Sequence, residues 1–284
     1  MFFLPFWFGS YGYAQSDTLI NKSLLWKIEH DSLTTTSYLF GTIHIPDKRV
    51  FVFSDSMLFA FNAVEAFAME INPDEISIIK SLRATKMKDT TLKDLLNEEE
   101  LIFLDNKLKE KLNLGVGFFN SIKPFFTMSQ YSLSVITNDM EKPLDMFLYE
   151  RAKFHNKIIF GIETFEEQIE LVDNIPLRDQ CDLLMETVRN ESIAIETEEL
   201  IQAYIAQDLP KIQGFIENET NINNFQEIFI TNRNYKMAER ISLMCKKNSV
   251  FFAIGAGHLA GNEGVIQLLI NKGFKVTPVL QPTQ

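Results

Sequence analysis

Cysteine is scarce in this 284-residue chain, with Cys181 and Cys245 the only two. Neither stands in a C-x-x-C spacing or beside a histidine, which speaks against metal binding by thiolate. Both fall in stretches that read as helix and are expected to be buried small apolar residues; spacing alone cannot establish a disulfide between them. Basic side chains are in deficit, 27 against 38 acidic, for a formal net charge of −11. That balance disfavours a broad contact with nucleic acid phosphates, although it leaves room for a local cationic patch. No repeat of solenoid period and no low-complexity linker occurs. A G-x-S-x-G elbow and a P-loop are missing too, so the common serine hydrolase and NTPase readings lack support.

What is present is a globular composition, 46% hydrophobic and 23% charged. A chain of this length buries roughly 75% of the surface its unfolded form exposes, enough for a large core. The first fifteen residues, MFFLPFWFGSYGYAQ, are apolar, aromatic and uncharged, and SDTLINKS then turns polar. The block is short for a bilayer span but suits the apolar region of a signal peptide, with Gly12 and Ala14 resembling a cleavage site; a positively charged start is missing. The expectation is a signal peptide at 1–15 and export, either periplasmic or extracellular. A single domain at 16–284, with no stable transmembrane span after cleavage, follows from the same reading.

Hydrophobic patterning places strands at both ends of the chain. LLWKIEH (24–30) and SYLFGTIH (37–44) predict a hairpin, and FAMEI (67–71) a buried strand. Asn72, Pro73, Asp74 and Glu75 have the composition of a helix start. The region at about 91–247 reads as mostly helical, interrupted by the strand KIIFGIE (157–163), after which Thr164 and Glu167 have capping-box spacing. NSVFFAIG (248–255), GNEGVIQLLINKG (261–273) and FKVTPV (274–279) read as strand, helix, strand. The fold class is therefore α/β or α+β, with a central sheet from the N- and C-terminal parts and a large helical insertion.

The chain holds only four histidines, and two share one grammar: an apolar run, a glycine, two residues, a histidine. His44 in YLFGTIHIP and His258 in VFFAIGAGHLAG, with Glu70 and Glu163, all lie at or just beyond the carboxyl end of a predicted strand. Ligands gather outside those ends in open α/β sheets. Two imidazoles and a carboxylate are good ligands for a divalent transition metal, which supports hydrolysis. Gly41 and Gly255 are expected to let the backbone turn tightly and leave room beside the site. His30 and His155 lack this context and read as structural or exposed. The glycines at 255, 257 and 261 are spaced G-x-G-x-x-x-G, one residue longer than the dinucleotide fingerprint, and FKVTPV carries no acid for a ribose. In TNRNYKMAERI (231–241), Thr231 or Asn232 is expected to cap a helix whose first turn presents Arg233 and Asn234. Arg233 would hold a substrate carboxylate or an oxyanion, with Arg240 on a similar face.

In order, YLFGTIHIP, FAMEI, GIET, NRNYKMAERI and FFAIGAGHLAGNEGVIQLLINKGF resemble the TraB/PrgY/GumN family, which includes the TIKI-type proteases. The resemblance implies a fold like that of erythromycin-esterase-like and ChaN-like proteins. It also implies a functional centre at His44, Glu70 and His258, with Arg233 as a further member and Glu163 beside it. A metalloprotease with manganese or cobalt is the implied activity, acting on a peptide or small-molecule substrate. The competing expectations are a binding protein for haem, a peptide signal or a metal, and a metal-free esterase in which a histidine acts as base.

Overall fold

Short apolar runs bounded by polar or turn-forming residues become six strands: β1 (Leu25–Glu29), β2 (Ser37–Thr42), β3 (Ala66–Ile71), β4 (Ile158–Glu163), β5 (Val250–Gly255) and β6 (Lys275–Pro278). They form one sheet in a computed structural model that describes residues 22–136, 138–217 and 225–280. The expected signal peptide at 1–15 lies outside the described residues. The sheet order is β4-β3-β5-β2-β1-β6. β4, β3, β5 and β2 run parallel, whereas β1 pairs antiparallel with β2 and with β6. The protein is thus mixed α/β, and the predicted β1–β2 hairpin is present.

β2 buries all six of its residues, and β3 and β5 bury all but one each. That is the pattern of parallel strands covered on both faces, which explains their unbroken apolar sequences. Phe251 of β5 stacks on Phe67 of β3 at a ring separation of 6.4 Å and meets Phe61 edge-on at 5.3 Å. Such contacts fix the relative positions of neighbouring strands.

The described residues divide into two compact units. One, of residues 73–136 and 165–197, is helical. Its Glu98–Leu112 helix starts with a capping box between Asn97 and Glu100 and stops at Asn113, which takes the left-handed conformation (φ 57°). The other unit, built from 22–72, 138–164 and the described part of 198–280, holds the whole sheet and every candidate site residue. Cys181 and Cys245 are both buried and free. Burial pushes their thiols up to about 12 and about 11, which makes them inert apolar fillers.

Three local expectations are corrected. Pro73–Glu75 forms only a single 3-10 turn, and the α-helix begins at Ile78 behind Ser77. Thr231 caps nothing: a π-turn, Glu227–Thr231, runs straight into the Asn232–Cys245 helix, and Thr231 already has helical backbone angles. Gly41 makes no turn, because it lies inside β2. Its value is closeness, since a β-carbon there would come within 2.8 Å of Leu259 Cδ1 and 3.2 Å of the Ala256 Cα.

Candidate active site

His44 follows β2 in a loop fastened from several sides. The Pro46 carbonyl accepts from the Met140 N–H at 2.9 Å. Asp47 caps the next turn and binds the Arg49 guanidinium, which also grips Glu198 through two bonds of 2.7 and 2.9 Å. The imidazole Nδ1 lies 2.7 Å from Oδ1 of Asp145, a buried residue in the first turn of the Leu144–Phe154 helix. A carboxylate only accepts, so Nδ1 is the donor, and in the neutral imidazole Nε2 keeps the lone pair. The other Asp145 oxygen is buried without a hydrogen-bond partner.

His258 ends the 3-10 turn Ala256–His258 that follows β5. Its Nδ1 is 2.7 Å from Oδ1 of Asn234, whose amide nitrogen donates to the Glu263 carbonyl at 2.8 Å. That second bond fixes which way the amide faces: Oδ1 must accept from the imidazole, and Nε2 again keeps its lone pair. Burial and the nearby Arg233 charge outweigh the attraction of Glu70 and hold the imidazole down at about 3. It is therefore neutral at physiological pH.

Between these histidines and β4 runs a buried charge chain. Glu70, near the end of β3, accepts from the Gly255 N–H at 2.9 Å and from Nη2 of Arg233 at 2.7 Å. Arg233 is only 3% exposed and also donates through Nε and Nη2 to Glu163, the last residue of β4, at 2.6 to 3.2 Å. Its Nη1 reaches the Phe229 carbonyl at 3.2 Å, inside the π-turn, where the helical ladder is loosened. Burial alone would raise the Glu70 carboxyl; Arg233, His258 and the Gly255 N–H prevail and hold it at about 2. Arg240, two turns beyond Arg233, donates to the Ile162 carbonyl at 2.8 Å and secures the end of β4.

The structure thus joins Glu70, Glu163, Arg233 and His258 directly, with 4.0 Å between His258 Nε2 and Glu70 Oε1. Sheet register brings His44 to the same rim: Thr42 of β2 pairs with Gly255 of β5, so the two G-x-x-H loops leave adjacent parallel strands side by side. His30 is half-buried against Phe274 and His155 is exposed, as expected. Sequence reasoning missed Asp145 altogether and missed the hold of Asn234 on His258. A cavity of about 320 Å³ adjoins the His258 loop, lined among others by Gln213, Gln226, Thr231, Asn234 and Asn262.

The donor chemistry fits a divalent transition metal. Both imidazoles have Nδ1 tied to an acceptor, the second-sphere arrangement that presents Nε2 as a ligand. A single ion with bonds of about 2.0–2.2 Å can touch two donors no more than about 4.4 Å apart, a limit the His258–Glu70 pair meets. The formal charge of Glu70, Glu163, Asp145 and Arg233 together is negative, which favours a cation. Among the described residues, however, no three His, Cys, Asp or Glu side chains are already gathered closely enough to enclose an ion.

The model of the TraB/PrgY/gumN family matches residues 24–278. Metalloprotease TIKI1 of Danio rerio is 28% identical over 92% of this chain and 64% of its own length. Metalloprotease TIKI2 of the same species is 25% identical over 92% and 62%, and human (Homo sapiens) Metalloprotease TIKI1 27% identical over 90% and 61%. The chain therefore spans a little under two thirds of the length of these relatives. No solved structure matches it.

Proposed function

The chain belongs to the TraB/PrgY/gumN family, and on that premise we propose that it is a metal-dependent hydrolase of peptide or amide bonds. The observation that carries the reading is the pair of strand-end imidazoles, each with Nδ1 tied and Nε2 presented. His44 and His258 would hold the ion, with Glu70 as a third donor. Manganese or cobalt is the proposed ion. When bound, the metal supplies Lewis acidity toward a carbonyl and a more acidic water.

The protein's own groups divide the remaining work. Glu70 is an ionised carboxylate at neutral pH, a form that serves either as a ligand or as a general base. Arg233 donates to Glu70, Glu163 and the Phe229 carbonyl. Its role is to fix the Glu70 carboxylate, with one Nη1 N–H beyond these bonds available to a substrate oxygen. Asp145 and Asn234 set the two imidazole tautomers. A metal-free esterase is the second reading, and the His44–Asp145 pair favours it, because a carboxylate-oriented imidazole is also a serviceable base.

Metal content after purification without chelator, in wild type and in His44→Ala/His258→Ala, separates them. Near-stoichiometric metal lost from the double variant, with manganese- or cobalt-dependent cleavage in a peptide screen, is the expected result. Hydrolysis that persists in chelator with no metal bound would transfer the mechanism to His44 as base.

A further inference from the structure

We infer that the short Ile78–Ala84 helix of the helical unit is a docking surface for an anionic phospholipid bilayer. None of its residues is buried. Ile78, Ile79 and Leu82 are 77%, 63% and 59% exposed. At 100° per residue these three fall within one 100° arc, a continuous apolar face. A helix normally turns such a face inward, and this one does the reverse.

Its flanks identify the partner. From Ser77 to Lys88 the chain carries Lys80, Arg83, Lys86 and Lys88 and no acidic residue, and all four bases are exposed. In a chain of net charge −11, that is a local reversal of sign. The nearby acids are Asp74, Glu75 and Asp89 in sequence and Glu166, whose carboxylate lies 3.2 Å from the Lys80 ammonium on the exposed surface. Apolar side chains rimmed by lysine and arginine match the boundary of an anionic membrane, where the rings of charge meet headgroups and the aliphatic face enters the acyl region. The helix is too short to cross a bilayer, and no helix among the described residues is long and apolar enough to do so. The association is peripheral and reversible.

The test is co-flotation of the full chain with vesicles of phosphatidylcholine alone or of equal parts phosphatidylcholine and phosphatidylglycerol. Expected is binding to the anionic vesicles about tenfold or more stronger than to neutral ones, weakened by salt. Ile78→Ser/Ile79→Ser/Leu82→Ser should lose it, and Lys80→Gln/Arg83→Gln should weaken it several-fold. Because all five side chains are exposed, circular dichroism should find both variants folded. Binding that is equal for both vesicle types, or unchanged in the variants because the apolar residues at 1–15 drive it, would overturn the inference. So would sedimentation showing that the triple serine variant dissociates a dimer, since the apolar face would then belong to a second copy.

Discussion

Arg233 is a single cation between the buried Glu163 and the half-buried Glu70, and its removal tests how much the charge chain matters. Arg233→Met would leave the buried Glu163 and the half-buried Glu70 without their shared counterion, a loss of about 3–5 kcal/mol. Urea denaturation at neutral pH measures it, and Arg233→Met/Glu163→Met should recover much of the loss. A cost below about 1 kcal/mol would mean that water reaches the carboxylates. Arg233, Glu163, Glu70 and both histidines were legible in the sequence, since each stands at a strand end or in a charged helix start beside apolar text. Their partners were not. Asp145 meets His44 across 101 positions of chain and Asn234 meets His258 across 24, and no local pattern encodes either encounter. The burial of Arg233 was invisible for the same reason: an isolated arginine on a polar-looking helix reads as a surface ion pair.

At the scale of elements, the strands were readable because parallel strands buried on both faces must be apolar throughout. The start of the Asn232–Cys245 helix was misread because Thr231 and Asn232 have cap-forming side chains, yet the π-turn before them leaves no first turn to cap. Gly41 shows how one element positions another. With no side chain, β2 lets the turn carrying His258 lie directly against it, and the Tyr204 hydroxyl donates to the Gly41 carbonyl at 2.8 Å from another direction. Gly41→Ala should push that turn outward by tenths of an ångström, with overpacking costing about 1–3 kcal/mol and His258 displaced. Thermal melts and metal affinity would report the two effects. Gly117→Ala is the control: nothing lies within 4 Å of a β-carbon there, and stability should hold or rise by up to about 1 kcal/mol. Equal behaviour of the two substitutions would contradict the close-approach account.

For the molecule as a whole, the buried site sets the response to acid. The His258 imidazole sits at about 3 in the folded metal-free protein against about 6.5 unfolded, and the Glu70 carboxyl at about 2 against about 4.3. Both folded values are depressed, so the unfolded chain binds protons first and stability falls as pH drops. The loss should begin below about 6.5 for His258, with Glu70 adding its share from about 4.3 down to about 2. Melting temperatures of the metal-free protein across this range, beside His258→Asn, provide the check; the variant should lack the upper limb of the decline. An unchanged profile would mean that His258 is protonated in the fold. The α/β class was legible in the sequence, whereas the partition of the helical residues into a unit drawn from 73–136 and 165–197 was not, because it depends on which helices meet, not on how each is patterned.

The strand order carries a consequence in time. β5 lies between β3 and β2, yet it is made long after both. Until it is made, the β1–β2 and β3–β4 pairs lack the strand that joins them in the finished sheet, and the edges it will cover are able to pair with a neighbouring molecule. The growing chain also holds His44 and Glu70 without the strand that spaces them. Insertion of β5 closes both edges and delivers His258 in one event. Synthesis therefore passes through a stage with open strand edges, and the candidate site lacks its His258 side until β5 is in place.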